Sequence, residues 1–171
     1  MRFILPTLFA FLLMVPSVLF WPVDALVIRD ERGNIVLQAN MPLGRSFETQ
    51  YIHSVQLTPV EDIYFVRDGL IHQWQTRIQS QNAGLTSLVL PASRFRLEHP
   101  WIIFEGALLS LSEFVLRVGN TIIGQNYLRL GNGKRLPLFS VFPGERLLLK
   151  AERSYLFAKR KETVRGGLDV Q

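Results

Sequence analysis

The residues of this chain best suited to chemistry lie in the stretch QYIHSVQLTPVEDIYFV, residues 50–66. A histidine stands beside a serine there, and two adjacent acids follow eight residues later: His53, Ser54, Glu61 and Asp62. An imidazole held by a carboxylate can act as a general base, and a serine beside that base can become a nucleophile. The same imidazole and carboxylates could begin a metal site. Which of these groups meet depends on the strands that carry them.

Alternation of apolar and polar residues over 47–66 predicts two antiparallel strands. With residues 56–59 as a four-residue loop, His53 is expected opposite Asp62 on one face, and Ser54 opposite Glu61 on the other. Neighbouring residues of a strand point to opposite faces, so His53 cannot readily activate Ser54. The sequence therefore predicts no catalytic residue here, and a binding role for Tyr51, His53, Ser54, Glu61, Asp62 and Tyr64.

Other ligating or nucleophilic groups are sparse. The remaining histidines, His72 and His99, have no HxH or HExxH partner, and the chain contains no cysteine. Thiol chemistry and disulfides are thereby excluded, and we predict neither a metal nor a cofactor. An exported hydrolase or a metal-binding protein that uses His53 with Asp62 stays as the alternative. Three arginines could supply a fork for a carboxylate: Arg77, Arg94 and Arg96.

The 171 residues suffice for one domain with a sizeable core. Residues 3–23 carry no charge and follow Met1 and Arg2, which is typical of a secretory signal with a cut after Ala25 or of an uncleaved membrane anchor. Both readings send the remainder across the inner membrane. The predicted location is the periplasmic face of that membrane, either anchored through residues 3–23 or cleaved.

The rest of the chain reads as many short strands separated by turn residues, the pattern of an all-β domain. The predicted fold is a single-domain antiparallel β-sandwich or partly open barrel, preceded by an N-terminal hydrophobic helix. A short helical turn within residues 106–118 is the local alternative. The predicted divisions are a signal peptide or anchor over 1–25, a β-rich extracytoplasmic domain over 26–160, and a flexible basic tail over 161–171.

The net charge of +5 is modest, and much of the excess lies near the C-terminus. Clustered basic residues of this kind mark a solvated tail rather than a nucleic-acid surface, so no nucleic-acid partner is predicted. Weak attraction to anionic lipid headgroups is the alternative. The cluster comprises Lys159, Arg160, Lys161 and Arg165.

The stretch YIHSVQLTPVEDIYFV resembles the signature of a bacterial family of small exported proteins of unknown function. The match lies at Tyr51, His53, Ser54, Val55, Pro59, Val60, Glu61 and Tyr64. Gln56 stands where the family carries a glutamate, whereas Asp62 keeps the family's second acid. Weaker similarity extends over residues 26–151. Members of this family are associated with TAXI-type tripartite (TRAP) transporters, so the resemblance implies an accessory role in organic-acid uptake.

The sequence thus favours a non-enzymatic extracytoplasmic accessory or binding module. Its expected partners are the TRAP permease or its substrate-binding protein, the inner membrane if residues 3–23 stay uncleaved, and an organic-acid ligand. Exposed strand edges can dock partners by strand addition. Catalysis needs several reactive side chains at one place, and the sequence pattern of this chain does not bring such a set together.

Overall fold

A computed structural model describes residues 22–80, 93–131, 133 and 135–155. The predicted N-terminal helix and the basic tail lie outside these residues. None of the helices within the described residues is long and apolar enough to cross a membrane.

Eleven strands and one short α-helix are present in the described part of the chain. The strands are β1 Pro22–Arg29, β2 Ile35–Asn40, β3 Ser46–Ile52, β4 Pro59–Arg67, β5 Leu70–Ile78, β6 Ser93–Glu98, β7 Trp101–Leu111, β8 Glu113–Arg117, β9 Asn126–Leu130, β10 Arg135–Pro137 and β11 Arg146–Tyr155. A 3-10 turn spans Pro42–Gly44, and helix α1 spans Leu138–Val141.

These strands form two antiparallel sheets, which confirms the all-β prediction. The four-stranded sheet has the order β2-β1-β11-β8, and the seven-stranded sheet has the order β10-β9-β3-β4-β5-β7-β6. Buried side chains from both sheets make one core, for example Leu26 and Leu147 of the first and Phe47 and Leu128 of the second. A smaller cluster of Val60, Ile78 and Phe104 continues the inner face of the seven-stranded sheet.

Successive residues along each strand of the seven-stranded sheet point to opposite faces of that sheet. Its inner face packs toward the four-stranded sheet and carries Phe47, Tyr64 and Val66. The alternate residues, such as Glu48 and Glu61, point to what we call the outer face.

The first hairpin joins β1 to β2. β1 and β2 pair around a turn in which Gly33 has a φ of 81°, a conformation that glycine adopts without steric cost. The helical alternative for residues 106–118 was wrong, because β7 and β8 occupy that segment with one break between them.

Two ends of the molecule can be distinguished from these pairings. Pro22 at the start of β1 lies opposite Tyr155 at the end of β11, so the described chain begins and ends side by side. The turn at 68–69 joins β4 to β5 at this same end, which we call the proximal end. The loop at 53–58 lies at the other, distal end of the seven-stranded sheet.

Candidate functional site

The predicted pairing of His53 with Asp62 was wrong. In the structure, β3 and β4 pair with Thr49 opposite Asp62 and Gln50 opposite Glu61, four residues out of the expected register. His53 therefore lies about 13 Å along the strand from the position opposite Asp62, at roughly 3.3 Å per residue. The shift is an even number of residues, so the assignment of faces survives although the partners change.

The register differs because residues 53–58 form the loop. The backbone N–H of His53 donates to the Thr58 carbonyl at 2.9 Å, and the Leu57 N–H donates to the His53 carbonyl at 2.8 Å. Nδ1 of His53 accepts from the backbone N–H groups of Val55 and Gln56, at 3.2 and 3.4 Å. That geometry makes His53 a local cap for the loop backbone, with its ring proton on Nε2.

The loop at 53–58 exposes aliphatic side chains and lies beside a second loop. Ser54 is exposed, and the side chains of Val55 and Leu57 are 80% and 75% exposed. A second distal loop, over residues 118–125, lies beside it because the Ile52 N–H donates to the Gln125 carbonyl at 3.3 Å. That loop exposes Ile122 and Ile123, so four large aliphatic side chains gather at the distal end.

Asp62 occupies the inner face, between the large core and the smaller one. Its Oδ1 accepts hydrogen bonds from Thr76 Oγ1 at 2.7 Å and from Gln73 Nε2 at 2.9 Å. Burial raises the pKa of the Asp62 carboxyl above its ordinary value, against the opposing effect of these two hydrogen bonds.

Tyr51 and Tyr64 flank Asp62 on the same face. Burial raises the pKa of each phenol, and the negative charge of Asp62 raises it further. Both hydroxyls are therefore neutral donors at physiological pH. The inner-face group is a polar inclusion in a packed core, and its hydrogen bonds are internal.

Glu61 points to the outer face, where it joins a larger charged group. We define the outer-face cluster as Glu48, Gln50, Glu61, Gln75, Arg77, Arg129 and Arg135. Glu61 is 7% exposed and lies between two guanidinium groups, at 3.8 Å from Arg77 Nη1 and 3.6 Å from Arg135 Nη2. Arg129 binds the 6% exposed Glu48 on the neighbouring strand.

The sheet register explains why these residues converge. One row across the strands contains Gln50, Glu61 and Arg77. The adjacent row contains Arg135, Arg129, Glu48 and Gln75. Cross-strand neighbours on one face have Cβ atoms about 5 Å apart, so the long side chains reach one another.

Several polar atoms of the cluster are buried without a hydrogen-bond partner among the described residues. They are three donors and one acceptor: Gln75 Nε2, Arg77 Nε, Arg129 Nε and Gln50 Oε1. Buried polar groups in native proteins are nearly always paired with protein or ordered water, so these donors have hydrogen-bonding capacity that the described side chains do not use. The arginine side chains are 37 to 48% exposed, which leaves the cluster open to solvent from above.

The outer-face cluster contains more cationic than anionic side chains. Burial raises the pKa of the Glu61 carboxyl, and the charge of Glu48 raises it further, while Arg77, Arg135 and Arg129 oppose the shift. Three guanidinium groups stand against two carboxylates, so the cluster has a formal charge of +1 when both acids are ionised. An added carboxylate would meet donors and a net positive field.

The three arginines expected to form a fork lie on the same face but not together. Arg77 belongs to the outer-face cluster, whereas Arg96 lies two strands away, beyond β7. Arg96 is paired with Glu98 at 3.1 Å and Glu105 at 3.5 Å. Arg94 is exposed on the edge strand β6.

Of the predicted binding residues, the structure brings Tyr51, Asp62 and Tyr64 together on the inner face and places Glu61 alone on the outer face. His53 and Ser54 lie in the distal loop. No group of three or more histidine, cysteine, aspartate or glutamate side chains is close enough to hold a metal ion within the described ranges. Sequence reasoning missed Arg135 as a partner of Glu61 and Arg129 as the partner of Glu48, because both arginines are far away in sequence and only the strand order brings them near.

Fold and site define a two-sheet β domain with an arginine- and glutamate-lined sheet face. Residues 47–138, more than half of the chain, match the model of the family described as a domain of unknown function (DUF1850), and the chain belongs to that family. The matched region contains the whole outer-face cluster, whereas β1, β2 and β11 lie outside it. No curated protein and no solved structure matches the chain.

Proposed function

We propose that this protein is a non-enzymatic, extracytoplasmic accessory module of a TAXI-type TRAP transporter, and that its outer-face cluster binds a carboxylate group. The observation that carries the proposal is the set of buried, unpaired donors at Gln75, Arg77 and Arg129. Organic acids are the substrates that the family resemblance implies for the transporter. Their carboxylates suit a guanidinium fork, because two parallel N–H···O bonds can form.

The chemistry of the site supports binding rather than turnover. Glu61 and Glu48 are ion-paired with arginines, so their carboxyl groups are engaged by guanidinium groups of the protein itself. A reacting centre needs a nucleophile or base positioned beside an electrophile-stabilising group. Ser54 and His53 lie instead at the distal loop, where His53 caps the backbone.

The ligand part is tested by thermal unfolding of the full chain with acetate, succinate and glutamate. A bound acid at about 100 times its dissociation constant should stabilise the folded state by roughly 2.7 kcal/mol. Arg77→Gln and Arg129→Gln should remove that shift of the unfolding transition, because each takes away one guanidinium group of the cluster. Arg117→Gln is the matched control, because Arg117 is an exposed arginine on the other sheet. An equal shift in all three variants, or none with any acid, would contradict carboxylate binding.

The transporter part is tested in cells. The chain should co-purify from membranes with the permease or its substrate-binding protein, and its deletion should impair uptake of the transported acid. Unchanged uptake together with the absence of both components from the purified material would show that the association is wrong.

A further inference from the structure

Residue Asp24 joins three parts of the proximal end into one unit. Its backbone carbonyl accepts a hydrogen bond from the Met41 N–H at 2.7 Å. Its carboxylate accepts from the N–H groups of Asp68 and Gly69, at 2.9 and 3.0 Å. The turn at 42–44 and the turn at 68–69 are therefore both fastened to a residue that directly follows the uncharged run 3–23.

Both turns present leucine to solvent. Leu43 is fully exposed and has a φ of 56°, and Leu70 is 37% exposed. An exposed leucine in the left-handed region is unfavourable for stability, since glycine or asparagine adopts that conformation at lower cost. A strained residue of this kind points to a role outside folding.

Two arginines lie next to these leucines in sequence. Arg45 follows the first turn and is exposed, and Arg67 precedes the second with 72% of its side chain accessible. Asp68 partly offsets Arg67, at 3.4 Å. The carboxylate of Asp24 also lies at this end, so the formal charges of the two arginines and two aspartates cancel. Exposed aliphatic tips with guanidinium groups beside them still suit the boundary between lipid headgroups and acyl chains, where the guanidinium groups can reach lipid phosphates.

We propose that the proximal end of the domain rests on a lipid bilayer, with Leu43 and Leu70 inserted among the headgroups and Arg45 and Arg67 on the lipid phosphates. The occupant is lipid because of where the uncharged run ends. β1 begins at Pro22, so no linker separates residues 3–23 from the sheet. A run of about 20 apolar residues can span a bilayer, and one that does so brings the proximal end to within a residue or two of the headgroups.

The test uses the absence of cysteine from the chain, which permits single-site labels. The full chain is reconstituted alone into phosphatidylcholine–phosphatidylglycerol vesicles, with an environment-sensitive fluorophore attached through Leu43→Cys or, as the matched control, Val55→Cys. Both sites are exposed aliphatic residues in loops, at opposite ends of the domain. The label at position 43 should shift to shorter wavelength and be quenched by headgroup-level nitroxide lipids, whereas the label at 55 should stay water-like and unquenched.

Each other result overturns the proposal. Equal, water-like emission from both sites places the proximal end away from lipid. Quenching at 55 alone places the distal loops in the bilayer. A blue shift at position 43 without lipid quenching shows burial against a second copy of the chain.

Discussion

At the scale of single residues, two adjacent acids of one strand have separate roles. Glu61 faces arginines on the outer face, and Asp62 faces threonine, glutamine and tyrosine on the inner face. The sequence predicts this division, since neighbours on a strand point apart. It does not predict the partners, because the register with β5 and the position of Arg135 three strands away leave no local pattern in the sequence.

Asp62 gives a prediction about pH. Burial raises its folded-state pKa above the ordinary 3.8, so the folded state holds the proton more tightly than the unfolded state does. Its contribution to stability is fully present below pH 3.8 and is lost as the pH rises through the raised value. The free energy of unfolding of the wild type should therefore decline with rising pH over that window.

Asp62→Asn should reduce this decline, because asparagine keeps an acceptor for Thr76 and Gln73 but carries no charge. The raised pKa of Glu61 contributes a decline of the same sign, which this variant retains. Denaturant midpoints measured from about pH 4 to about pH 7 provide the check. Asp68→Asn is the control for the loss of one carboxylate, since the Asp68 side chain is 82% exposed. Identical slopes for wild type and Asp62→Asn would assign the pH dependence to another group.

At the scale of elements, the hairpin of β3 and β4 shows what the sequence pattern misses. Alternation identifies both strands and their faces, but the loop bounds depend on His53 capping the backbone and on Leu57 adopting a φ of 53°. A proline before β4 suggests a short loop ending at residue 59, whereas Pro59 is the first residue of the strand. Hydrogen bonds within the loop accompany this register, and the turn residues alone do not reveal them.

Strand β1 bears on the fate of the N-terminus. A cut after Ala25 would remove four of the eight residues of β1, together with the Asp24 carboxylate that holds the turn at 68–69. We therefore expect the chain recovered from the cell envelope to begin at or before Pro22. N-terminal sequencing gives the measurement.

Asp24→Ala should destabilise the full-length domain by about 1.5–3 kcal/mol, the range for hydrogen bonds to a charged group. Asp24→Asn, which retains one acceptor, should lose less. A stably folded chain that begins at Leu26 would contradict this view of β1.

At the scale of the whole molecule, the two ends differ in what they can contact. The proximal end carries the continuation of the uncharged run, and the distal end carries Val55, Leu57, Ile122 and Ile123. Seven residues of β3 separate the ends by about 23 Å, at roughly 3.3 Å per residue. The sequence predicts a β-sandwich but not this polarity, which arises from the pairing of Pro22 with Tyr155.

If the protein serves a TRAP transporter as proposed, this polarity predicts which transporter component the distal loops meet. With the proximal end at the bilayer, Leu57 and Ile122 stand beyond the headgroups, within reach of a soluble protein and away from most of a membrane-embedded permease. A photo-crosslinking residue at Leu57 should therefore capture the transporter's substrate-binding protein in cells that express the whole system. The same residue at Leu43 is the control and should not. Capture of the permease from Leu57, or of the binding protein from both positions, would contradict an orientation with the proximal end at the bilayer and the distal loops pointing away from it. In either case the aliphatic distal loops would not be the surface that recognises the soluble component.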